Sequence, residues 1–80
     1  MLTFESIDNE HLEIHANKEG LLKLANILID MAEQKEPEHR HLMTKDWGGS
    51  ELTSDKQGFN NKLYHHVKIF FWPPRVNLEG

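Results

Sequence analysis

The chain has 80 residues, no cysteine, six histidines and a formal net charge of −4 with the histidines neutral. A chain this short makes one domain with one thin core, burying only about 60–65% of its unfolded surface. No disulfide or thiolate metal site can brace it, which fits a reducing cytoplasm, and scattered Lys and Arg in an acidic chain argue against a broad phosphate-binding face.

The first residues, MLTFESIDNE, lack the basic stretch and apolar run of a secretion signal. Leu2 to Ile7 and His11 to Ala16 alternate in type and flank Asp8-Asn9-Glu10, which predicts two short strands joined by a tight turn. In the second strand Leu12 and Ile14 share one face, and His11, Glu13 and His15 share the other. Asn17 is a good N-cap, and Glu19 adds negative charge where a helix N-terminus favours it. Leu21, Leu24, Ala25, Leu28 and Ala32 then recur at three- and four-residue spacing, widened by Leu22 and Ile29. The pattern predicts an amphipathic helix from Lys18 to Gln34 whose stripe packs on Leu12, Ile14, Val67, Ile69 and Phe71. Within it Gly20 reads as a mild local penalty. The longest mostly apolar run, Leu21 to Met31, is broken by Lys23, Asn26 and Asp30, too short and polar to span a bilayer.

Pro37 drives Glu36 out of helical geometry. Glu38 to Thr44 predicts a third strand. Leu63 to Trp72, dense in β-branched and aromatic residues, predicts the strongest one, ended by Pro73-Pro74. The long connection Lys45 to Lys62 carries Trp47-Gly48-Gly49 and Gly58-Phe59, and a short strand near Glu51 to Thr53 would explain part of it. Together these predict an α+β domain over residues 1–74. Its order is ββαββ, with a single amphipathic helix packed on one face of a mostly antiparallel sheet. Residues 75–80 are expected to form a flexible C-terminal tail.

Histidine is the conspicuous excess. His39 and His41 point the same way on a strand, and His66 meets them if the last two strands pair. Neutral imidazoles suit Zn, Cu or Ni, so His39, His41 and His66 are the candidates for any metal. A structural zinc site normally needs four ligands, with Cys common. The expectation is therefore a row of solvent-facing histidines, no metal and no cofactor. Catalysis finds little support: no serine has a recognisable nucleophile-elbow setting, no carboxylate pair is implied, and Gly48-Gly49 lacks the context of a phosphate loop, although a triad assembled in space would leave no such sign.

The last strand carries the binding argument. Val67, Ile69 and Phe71 line one face, and Tyr64, His66, Lys68, Phe70 and Trp72 line the other. One helix cannot cover both faces, so the aromatic face either stays exposed or is covered by the loop through Trp47. The candidate partner-binding residues are His39, His41, Trp47, Tyr64, His66, Phe70 and Trp72, with Asp46, Glu51 and Asp55 as an acidic rim.

The segment Asn17 to Leu28, NKEGLLKLANIL, followed by the extended His39-Arg40-His41-Leu42, resembles a family of bacterial polymorphic-toxin immunity proteins catalogued as immunity protein thirty-two. The resemblance runs from the second strand through the third, about half of the chain. It implies a cytoplasmic antidote that binds and neutralises a cognate toxin domain and has no catalytic residue; charge and hydropathy separately lead us to expect no nucleic-acid or membrane partner. Residue chemistry leaves two alternatives open: a histidine-based metal-binding protein, and a homodimer or small homo-oligomer paired through the aromatic strand.

Overall fold

A computed structural model describes residues 1–74; the tail expected over 75–80 lies outside the described residues. Strands β1 (Leu2–Asp8) and β2 (His11–Ala16) form the first hairpin. Asp8 closes its turn by accepting the Glu10 N–H at 2.8 Å. Helix α1 (Lys18–Ala32) begins where expected, and the Asn17 side chain accepts the Gly20 N–H at 2.9 Å. Strand β3 (Glu38–Met43) leads into a 3-10 turn at Lys45–Trp47, which Gly48 closes with a left-handed φ of 86°. The predicted final strand is divided: β4 (Lys62–Leu63) and β5 (His66–Phe71) flank a bend at Tyr64-His65. The ββαββ order is present with β4 as a short addition.

The strands form two antiparallel ladders, β2-β1-β4 and β3-β5. The segment at Leu52-Thr53 bridges them. Thr53 donates to Leu2 O at 2.8 Å and Leu52 to Met43 O at 3.1 Å, and Leu52 forms a parallel bridge with Thr44. The short strand sought in the long connection is this bridge. Leu2 and Phe4 of β1, Leu42 of β3 and Leu52 make the buried cluster, with Ala16, Leu24, Ile27, Val67 and Ile69 packed against it.

The helix is turned relative to expectation. Leu24, Val67 and Ile69 lie in the core as predicted, but Leu21, Leu22, Ala25, Leu28, Ile29 and Ala32 are exposed, and so are Leu12 and Ile14. The inward positions are Gly20, Leu24, Ile27 and Met31. Gly20 supplies the reason. A Cβ there would lie 1.9 Å from the Met1 carbonyl oxygen, so the first helical turn can sit this close to the chain start only with a glycine facing it. On the opposite flank, Lys23 Nζ donates to Ser50 O at 2.7 Å and Asp30 pairs with Arg40. These contacts fix the rotation, and Gly20 is a packing requirement rather than a penalty.

The other side of β1 is held by Glu5, which is fully buried. Its carboxylate accepts from the Thr3 hydroxyl at 2.5 Å, the Gln57 N–H at 2.8 Å, the Gly58 N–H at 2.9 Å and Asn61 Nδ2 at 3.0 Å. Burial, the largest single influence, raises its pKa, but the four donors together outweigh it and bring the value down to about 2. The second half of the long connection is therefore tied over β1.

Candidate interaction face

The register of β3 against β5 sorts the side chains cleanly. Arg40↔Ile69 and Leu42↔Val67 face inward, while His39↔Phe70, His41↔Lys68 and Met43↔His66 share the outward face. The long connection is anchored on β1, so it leaves this face open: Phe70 is 51% and Trp72 72% exposed.

The outward side chains touch in a chain of ring contacts. His39 lies 5.1 Å from His41 and 5.5 Å from Phe70, centroid to centroid. His41 stacks on His66 at 5.0 Å, and Phe70 on Trp72 at 6.1 Å, nearly parallel. Lys68 Nζ sits 5.1 Å from the Phe70 ring centre, a cation–π distance. His41 Nδ1 and His66 Nε2 are 2.7 Å apart, so one nitrogen donates a proton to the other's lone pair. Burial first, then the neighbouring His66, His39 and Lys68, disfavours the His41 cation and lowers its pKa. Among the described residues no group of three or more His, Cys, Asp or Glu side chains is arranged to hold a metal.

Five of the seven predicted site residues are thus brought together: His39, His41, His66, Phe70 and Trp72. Trp47 is not among them. Its ring stacks on His65 at 5.3 Å, and Thr44 Oγ1 holds His65 Nδ1 at 2.8 Å. Tyr64 sits at the bend between β4 and β5, where its N–H donates to Phe4 O at 2.9 Å. The acidic rim is also redistributed. Glu51 turns back to accept the Met43 N–H at 3.1 Å, and this bond is the first cause of its lowered pKa. None of the six paired outward positions is acidic, so the face is aromatic and neutral to cationic. Sequence reasoning missed Phe59, almost fully exposed on the long connection, and the open aliphatic surface of α1 and β2.

The outward face of β3 and β5 is thus a run of touching ring side chains on one ladder of a small α+β domain. A family model described as Immunity protein 32 matches residues 11–67, more than half of the chain. The chain belongs to this immunity-protein family. No curated protein and no solved structure matches it. Among the described residues no helix is long and apolar enough to cross a membrane.

Proposed function

We propose that the chain is the antidote of a bacterial toxin–immunity pair. It binds a cognate toxin domain in the cytoplasm, one to one, and blocks it by occupation rather than by chemistry. Family membership over residues 11–67 carries this reading. The outward face of β3 and β5 supports a location for the contact. Aromatic anchors held by a hydrogen-bonded ladder lose little side-chain freedom on binding, and such anchors dominate interface energetics. Phe70 and Trp72 are the central anchors, with His39, His41 and His66 beside them. Trp47 and Tyr64 form a separate, peripheral group in the same proposal.

The test uses the toxin domain encoded beside this gene, in a growth-rescue assay and a direct binding assay. Trp72→Ala and Phe70→Ala should each weaken binding by about 2 kcal/mol or more while the fold is retained. Full protection by both folded variants would refute the surface. Failure of the wild-type chain to bind that toxin would refute the functional reading itself.

A further inference from the structure

Helix α1 carries a second apolar flank that its own domain leaves open. At 3.6 residues per turn, Leu21, Ala25, Leu28 and Ala32 lie about a quarter-turn round from the inward Gly20, Leu24, Ile27 and Met31. The polar flank is engaged on the other side, through Lys23 with Ser50 O and Asp30 with Arg40 of β3. The Leu21–Leu28 flank therefore looks toward β2, at the far end of the sheet. There Leu12 and Ile14 stand on the same side of the hairpin as Phe4, since Phe4 pairs with Ile14 and Ser6 with Leu12. Leu12 is 58% exposed, Ile14 50%, Leu21 55% and Leu28 43%. Four large aliphatic side chains remain half in water.

Beside them lies an open strand edge. β2 pairs only with β1 among the described residues, and His11–Ala16 contains no Lys, Pro or Gly to discourage a further strand. The sequence of β2 is also self-complementary. In an antiparallel pairing centred on Ile14, Ile14 meets its own copy, Leu12 meets Ala16, and Glu13 meets His15. Apolar side chains then face each other on one side, and carboxylate faces imidazole on the other. Within one chain that polar pair is already formed, with Glu13 Oε1 2.8 Å from His15 Nε2. Two copies would close it into a ring of two carboxylates and two imidazoles.

We propose that this surface is covered by a second copy of the chain: the β2 strands pair about a two-fold axis at Ile14, and the Leu21–Leu28 flanks of the two helices pack over the junction. A two-fold interface requires one patch to match itself, which β2 does. A stable interface buries about 800 Å² per partner, and the four half-exposed aliphatic side chains, the open β2 edge and the helix flank are contiguous surfaces that a second copy would cover together. The dimer leaves the outward face of β3 and β5 free, so it is independent of toxin binding.

The experiment needs only the purified protein. Light scattering coupled to gel filtration, from low to several hundred micromolar, should give twice the 9.4 kDa chain mass. Leu28→Lys should return a monomer with unchanged circular dichroism. Because the chain has no cysteine, Ile14→Cys introduces a single thiol. Mild oxidation should link it rapidly to its own copy, while Lys68→Cys, on the β5 outward face, should stay unlinked. A monomer throughout that range, with Ile14→Cys unlinked, overturns the proposal. Linking through Lys68→Cys instead would place the dimer on the aromatic strand and overturn it too. A monomer whose toxin binding is lost in Leu28→Lys would assign the surface to the toxin.

Discussion

Replacing Glu5 by Gln should cost this domain about 3 kcal/mol, and the structure shows where the loss arises. The carboxylate accepts four hydrogen bonds, two at each oxygen: Thr3 Oγ1 and the Gln57 N–H at Oε2, the Gly58 N–H and Asn61 Nδ2 at Oε1. The best orientation of a Gln amide puts its NH₂ toward Thr3, whose hydroxyl can turn and accept. The Gln57 N–H is then left without an acceptor, which costs about 1–3 kcal/mol, and the remaining bonds lose their charge assistance, each falling from about 1.5–3 toward 1 kcal/mol. Small domains have about 5–15 kcal/mol in total. The pH signature has a definite sign. The folded pKa, about 2, lies below the ordinary 4.5, so the ionised carboxylate's contribution is complete above 4.5 and is lost as pH falls toward 2. Urea melts of the chain with Glu5 and with Glu5→Gln, taken stepwise between those pH values, should converge as pH falls. Glu51 also has a lowered pKa but shares no partner with Glu5; Glu13, whose pKa is lowered too and which shares the Asn61 amide with Glu5, is replaced by Gln in both proteins so that the difference isolates Glu5. Equal midpoints at neutral pH, or parallel curves down to pH 2, would refute the argument.

Leu24→Ala should cost about 2–5 kcal/mol by opening the core. Leu28→Ala, measured at concentrations that keep the chain monomeric, should change stability by less than about 1 kcal/mol because Leu28 is half exposed. The reverse order in denaturant melts would restore the helix face read from the sequence. Gly20→Ala should lower the thermal midpoint, although Ala is the better helix former by about 1 kcal/mol, because its Cβ meets the Met1 carbonyl; an unchanged or raised midpoint would remove Gly20 as the determinant of helix rotation. Calorimetric titration of tag-free protein with Zn²⁺ should give weak, non-stoichiometric heat. A one-to-one submicromolar complex abolished by His41→Ala would show that the His41–His66 pair opens to take a metal.

Signals of fixed period were legible in the sequence. The two-residue period of β3 and β5 put His39, His41, His66, Phe70 and Trp72 on one face, and antiparallel register alone then brings them into contact. The helix was legible in its start and extent but not in its rotation. Apolar residues occupy more than half of its circumference, so the 3.6-residue period defines a broad arc rather than a direction. Direction came from contacts distant in sequence: Gly20 with Met1, Lys23 with Ser50, Asp30 with Arg40. Trp47 and Glu5 failed to declare themselves for a related reason. A connection without period cannot say which side of the ladder a side chain reaches, and Glu5 reads as an ordinary polar position in an alternating strand until its partners, more than fifty residues away, are in place. The one available clue was in Gln57-Gly58 and Asn61, a stretch outside the regular strands whose backbone and amide donors call for acceptors. Those donors tie the stretch to Glu5 on β1, in the ladder that does not contain β5, and Phe70 and Trp72 stay exposed.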